Sequence, residues 1–195
     1  PMMQSLYTSS TGMLAMQTQI DTTANNIANV NTMGYKKSRA EFADLMYKVM
    51  TYAGTSTSDT TQSPTGIEVG LGVRPTAINK IFTEGSLKQT DNTLDVAITG
   101  KGFFKLELPN GTEVYTRNGS FKVDQNGTIV NSDGYKLVPE VVIPEDAVDI
   151  SIGTDGIVSV TQSGQAQATQ VGQISLTTFI NPAGLHATGD NLFVE

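Results

Sequence analysis

The sequence predicts a mainly β protein: a compact antiparallel β domain, sandwich-like or barrel-like, carrying a long N-terminal α-helical arm. Three observations predict it. Residues 3–29 hold apolar side chains at heptad spacing, contain no Pro, and have Gly12 as their single Gly. From residue 67 onward the hydrophobic period changes to two. Asn-Gly or Asp-Gly pairs then punctuate the chain at 110–111, 118–119, 126–127, 133–134 and 155–156. These dipeptides suit tight hairpin turns, which need φ > 0 at both central residues. Composition agrees. Only 38% of the 195 residues are hydrophobic and 16% charged, and Thr, Ser, Gln, Asn and 19 Gly fill the deficit. That favours turns and pleated surface over long charged helices.

The arm is read from Met3, Leu6, Met13, Ile20, Ala24 and Ile27, with Ser10 and Gln17 completing a 3, 4, 3, 4 alternation. The other faces carry Thr, Gln, Asn and Ser with almost no charge. A helix over this stretch is about 40 Å long at the usual rise. Its seam is narrow and its propensity weak, so alone it is marginal in water. It needs a partner helix. No second heptad segment of that length appears in the remaining sequence, so the partner is expected from another molecule or from further sequence. Ser10 and Gln17 would set the register of such a seam.

The run Asn25-Asn26-Ile27-Ala28-Asn29-Val30-Asn31-Thr32-Met33-Gly34-Tyr35-Lys36 reads as the helix end and a bend, with Asn side chains competing for backbone bonds and Gly34 available as a φ > 0 stop. Phe42, Leu45, Met46, Val49 and Ala53 fall at helical spacing and predict a short helix over 40–50. Residues 54–66 are a polar low-complexity stretch that composition reads as a flexible linker. The expected division is therefore a helix over 1–33, a connector over 34–70 and a β domain over 71–195.

Within the β domain, strands are predicted at 94–98, 103–108, 128–130, 149–152, 157–161 and 171–179. The first three Asn-Gly pairs recur every eight residues, the spacing of short antiparallel strands.

The charge balance narrows function. The net charge is −7, so nucleic acid is not expected as a ligand. The first 50 residues set four cations against three anions, and the rest of the chain carries the acidity. With no Cys and His186 alone, thiolate metal sites, disulfides and multi-histidine sites are not expected. No apolar run reaches membrane-spanning length, and no basic n-region or apolar h-region marks a secretory signal.

The three Asn-Gly-Thr/Ser triplets read as turns rather than glycosylation acceptors. Asp124-Gln125-Asn126-Gly127 lacks the later ligands of a calcium loop. Gly100-Lys101-Gly102 precedes a strand, not the helix a phosphate cradle needs, and reads as a tight bend. His186 has no acid or nucleophile beside it by motif, and no carboxylate pair stands out. No catalytic, cofactor-binding or metal residue is assigned. A lone arm awaiting a partner points to self-assembly.

Residues Asn25, Asn26, Asn29, Asn31, Gly34, Tyr35 and Lys36 of the run quoted above resemble the signature of the axial rod and hook proteins of the bacterial flagellum. The resemblance continues in Leu94-Asp95-Val96-Ala97-Ile98-x-Gly100-x-Gly102-Phe103-Phe104, Tyr115-Thr116-Arg117-Asn118-Gly119-Ser120-Phe121, Asn181-Pro182-x-Gly184-Leu185 and Gly189-Asp190-Asn191-Leu192-Phe193, covering nearly the whole chain. Within that family, the opening Ser5-Leu6-Tyr7 with Gly12-Met13, and residues 52–74, look like distal rod members.

The resemblance implies a structural subunit, not an enzyme, with no cofactor. It implies export through the flagellar type III apparatus and assembly into a hollow helical polymer that spans the periplasm and turns inside the L-ring and P-ring bushings. Proximal rod protein and hook protein are the implied neighbours, with no membrane embedding. Met3, Leu6, Met13, Ile20, Ala24 and Ile27 become the assembly interface of an inner tube, and 54–66 a rod-type contact insertion. A second heptad helix beyond a position like Glu195 is the implied partner of the arm. A proximal rod or hook protein, a non-flagellar β-domain binding module and a wall-cleaving enzyme are the alternatives.

Overall fold

The computed structural model describes residues 2–51, 56–58, 61–62 and 67–195, with side chains described up to 46 and from 70 onward. It divides into two contact-dense units. A helical unit holds residues 1–30 and 37–81, and a β unit holds 31–36 and 82–195.

The helical unit opens with α1, Met2–Ala28, the expected arm. It continues as an antiparallel out-and-back ribbon. Strand β1 (Ser38–Asp44) pairs with β6 (Val73–Lys80), β2 (Tyr47–Thr51) with β5 (Ile67–Gly70), and β3 (Ser56–Ser58) with β4 (Thr61–Gln62). The short helix expected over 40–50 is therefore β1 and β2. Its apolar spacing was helical, but the β-branched returning strand supplies long-range pairing that outweighs a weak local preference. In β6 an extra residue, Thr76, bulges between the pairs Glu41↔Ala77 and Phe42↔Pro75. Its hydroxyl donates to the Glu41 carbonyl at 3.0 Å. A bulge on a two-stranded ribbon is where a proline is tolerated. Much of the polar stretch 54–66 lies outside the described residues.

Helix α1 packs on β1 and β6 through a face that its heptad seam does not include. Ala15 and Thr22 are buried there, and Thr8, Thr11, Thr18 and Asn26 are half-buried. A threonine face can be buried because its hydroxyls bond back to the helix. Thr11 donates to the Thr8 carbonyl at 2.9 Å, Thr18 to Leu14 at 3.1 Å and Thr22 to Thr18 at 2.8 Å. Thr11 also accepts from the Val73 amide at 3.4 Å. At the helix end, Asn26 imitates a strand partner: its amide nitrogen donates to the Ser38 carbonyl and its oxygen accepts from the Ser38 amide, both at 2.8 Å. The arm, marginal by propensity, is thus steadied on one side.

The β unit is the expected antiparallel domain. Its larger sheet contains β7 (Phe103–Glu107), β8 (Glu113–Thr116), β9 (Phe121–Val123), β10 (Ile129–Asn131) and β11 (Lys136–Val138). A three-stranded sheet follows: β12 (Ala147–Ile152), β13 (Ile157–Gln162) and β14 (Thr169–Gln173). The chain then returns to the larger sheet with β15 (Leu176–Thr177), β16 (His186–Gly189) and β17 (Leu192–Val194), giving the order β16-β17-β8-β7-β11-β10-β9 with β15 also against β7. The strand expected over 171–179 is therefore two, β14 and β15.

Both sheets feed one core, in which Leu106, Ile129, Leu137 and Val158 are fully buried. The larger sheet is covered on its other face too, where Phe103, Tyr115 and Phe193 pack with Phe82, Phe179 and Leu185. Tyr115 and Phe179 meet edge to face at 4.7 Å. Alternation explains why Phe103 and Phe104 both vanish from the surface, one to each side.

Four of the five Gly dipeptides turn hairpins, β7–β8, β9–β10, β10–β11 and β12–β13, with glycine φ between 80° and 85°. Asn118-Gly119 does not. A Cβ at Gly119 would run into the Val96 carbonyl, and the Val96 amide donates to Gly119 at 3.0 Å. The strand expected over 94–98 is instead an extended strap with a single bridge, Asp95↔Ser120, whose Leu94 and Ile98 side chains enter the core.

Candidate assembly site

Two features stand out, one in each unit. The first is the seam of α1. Met3, Leu6, Met13, Ile20 and Ile27 are between 62% and 82% exposed, and Ala24 is exposed beside them. Ser10 and Gln17 lie exposed in the same row. Leu14 and Met16 widen the apolar surface. A contiguous exposed stripe of this kind is the mark of a surface that another element covers. Among the described residues no helix is long and apolar enough to cross a membrane.

The second feature gathers residues from motifs far apart in sequence. Residues 31–36 lie within the β unit. Gly34 takes φ +70° against Asn118, where a Cβ would stand 2.6 Å from the Asn118 nitrogen. Asn191 donates its side-chain amide to the Met33 carbonyl at 3.0 Å. The Asn191 carbonyl accepts from the Thr116 hydroxyl at 3.0 Å, and that hydroxyl accepts from the Asn118 amide at 3.0 Å. A closed ring of contacts thus runs through Met33, Asn191, Thr116, Asn118 and Gly34.

Beside it, Lys36 is only 8% exposed and donates to the Thr83 carbonyl at 2.8 Å. Arg117 donates to the carbonyls of Gly100 and Gly102 at 2.8 Å and of Ile98 at 3.2 Å, so the glycine-rich bend wraps a guanidinium instead of a phosphate. Glu84 accepts from the Gly100 amide at 3.2 Å. Burial holds the Lys36 ammonium below the usual lysine range; the Arg117 charge adds to this and Glu84 opposes it. Arg117 is lowered in turn by burial, with Glu84 opposing.

The signature residues thus fall on both units. Asn26 ties α1 to β1, and Asn29 donates to the Asn25 carbonyl at the helix end at 2.9 Å. Gly34 and Lys36 belong to the β-unit clasp, and the Tyr35 amide closes a turn onto Thr32. The sequence carried Arg117, Asn118 and Asn191 inside quoted motifs but gave them no role; Thr83 and Glu84 had no signal at all. His186 sits exposed on β16. Asp124 is a turn organiser, accepting from the Asn126 and Thr128 amides.

A family model described as flagella basal body rod protein matches residues 6–36, which hold most of the seam and the signature. A second, described as flagellar hook protein FlgE/F/G D1 domain, matches 97–160. The chain is 48% identical over 194 residues to the flagellar basal-body rod protein FlgG of Buchnera aphidicola subsp. Schizaphis graminum, covering 100% of this chain and 75% of that relative. Against FlgG of Borreliella burgdorferi the identity is 47%, covering 100% and 74%.

The chain belongs to the FlgG family of flagellar basal-body rod proteins.

A flagellar hook protein FlgE, from Helicobacter mustelae, is 40% identical over 135 residues but shares only 69% of this chain and 30% of its own. FlgG relatives cover the chain from end to end, so the rod branch is favoured over the hook branch. The seam and the clasp are accordingly features of a structural subunit of the basal-body rod.

Proposed function

We propose that this chain is a distal rod subunit that polymerises through α1 into a hollow helical shaft carrying torque from motor to hook. The observation that carries the reading is the division of α1 into two faces. Its threonine face is already seated on β1 and β6, and its apolar seam of Met3, Leu6, Met13, Ile20, Ala24 and Ile27 is left bare along the whole helix. Such a helix is a subunit surface waiting for another helix.

Residues 1–33 then serve the inner tube, 34–70 a connector with a rod-type insertion, and 71–195 the outer layer. This functional division cuts across the two contact-dense units. Neighbouring copies, proximal rod protein, hook protein and the ring bushings are the partners in this reading, and the flagellar export apparatus delivers the chain. No bond is made or broken: the work is mechanical, and neither cofactor nor catalytic residue enters.

The test is Leu6→Asp in flagellated cells. A charge buried without a partner in a helix bundle costs several kcal/mol. Basal bodies isolated from the variant should lack distal rods and the cells should not swim. Rods of normal length and normal swimming would remove the seam from the interface.

A further inference from the structure

The clasp has no part in the seam, yet it joins four of the sequence motifs at one place in the β unit. Two of its hydrogen bonds, to the Met33 carbonyl and from the Lys36 ammonium, hold residues 31–36, which follow the end of α1 after two residues. Met33 is held by Asn191, Gly34 lies flat on Asn118, and Lys36 is buried onto Thr83. Arg117 stands behind them with three carbonyls in its fork, a geometry that needs a planar guanidinium. Polar turns are commonly closed by side chains bonding to their own neighbouring backbone. Here the partners come from residues 83, 118 and 191, and the only small residue that fits against Asn118 is present as Gly34.

We propose that the clasp is a rigid mount. It fixes residues 33–36 to the β unit, so that load arriving along the chain from α1 enters that unit at a set point rather than through a slack joint. Lys36, Arg117 and Asn191 are the positioning residues. The inference rests on the rod reading above, since it assigns the clasp a share in carrying torque.

The experiment uses the full chain, purified for hydrogen exchange and expressed in flagellated cells, with Asn191→Ala and Arg117→Lys as variants and the exposed turn substitution Gln125→Ala as control. Removing one clasp bond should raise amide exchange across residues 31–36 by about tenfold while β7 and β10 keep their rates. Lysine at 117 keeps the charge but offers its donors from a single nitrogen instead of the planar two-nitrogen fork, so it should fail to keep the native protection. The melting transition should stay at the control value. Basal bodies should carry rods of normal length and number, and tethered cells should show increased torsional compliance.

Unchanged exchange over 31–36 overturns the mount. Raised exchange with control compliance overturns its mechanical role, and loss of rods in both variants overturns it by making the clasp an assembly contact. Should Arg117→Lys melt the unit, Asn191→Ala, whose side chain stands outside the core, gives the same readings. An unchanged exchange profile leaves the rod assignment standing, whereas swimming by a Leu6→Asp strain strikes the seam without touching the clasp.

Discussion

The two units of this chain treat their apolar side chains in opposite ways. In the β unit most of the large apolar residues of both sheets are inside, with Val148 and Leu176 as exceptions, and even the second face of the larger sheet has its own aromatic cover. In the helical unit, among the described side chains, only Ala15, Thr22 and Ala40 are buried, while Met, Leu and Ile line the outside of the helix. One unit is finished by its own sequence. The other is held by threonine hydroxyls and an asparagine that imitates a strand, and its apolar seam is left exposed. The lesson is that exposure in one region and burial in the other have a common cause. In the proposed assembly a subunit must stay folded alone and yet be incomplete.

The sharpest way to break that contrast is to damage the finished unit. Leu106→Ala, at a position with no exposure, should lower the stability of the β unit by about 2–5 kcal/mol, measured by denaturant unfolding. A smaller change would mean that the core tolerates a void and is less complete than described. A middle-sized effect is expected at the helix foot. Asn26→Ala leaves the Ser38 amide and carbonyl without their side-chain partner and should cost about 1–2 kcal/mol of local stability, read as faster exchange at the end of α1 and the start of β1. The smallest effect should come from the seam. Ile27→Asp changes an exposed side chain and should move the melting free energy of the isolated chain by less than about 0.5 kcal/mol while abolishing rod formation. A large loss of stability there would show the seam to be internally packed.

Much of this contrast was legible in the sequence. The heptad of Met3 to Ile27 marked the face that is bare, and the Gly dipeptides at 110–111, 126–127, 133–134 and 155–156 marked the hairpins. The seated face of α1 was hidden because threonine reads as a poor helix former. Only the back-bonding geometry makes it fit for burial. The helix read over 40–50 failed because the partners of β1 and β2 lie in residues 67–80, beyond the window in which periodicity speaks. The Asn118-Gly119 pair misled for the opposite reason: its glycine serves a close backbone approach, which a dipeptide rule cannot separate from a turn. The clasp was visible as motifs and invisible as a site, since its bonds link residues from 33 to 191.

That last span has a consequence in time. The bond from Asn191 to Met33 crosses 158 positions of sequence, whereas the hairpins of the β unit pair neighbours a few residues apart. Local pairings form early, and contacts between distant segments wait until the chain between them has been gathered. The tie between Asn191 and Met33 is therefore expected among the later contacts to form. A copy interrupted midway could raise several hairpins, but its residues 31–36 would lack the Asn191 tie. The fastening at Met33 acts as a statement of completeness, made only by a chain that has folded as far as residue 191.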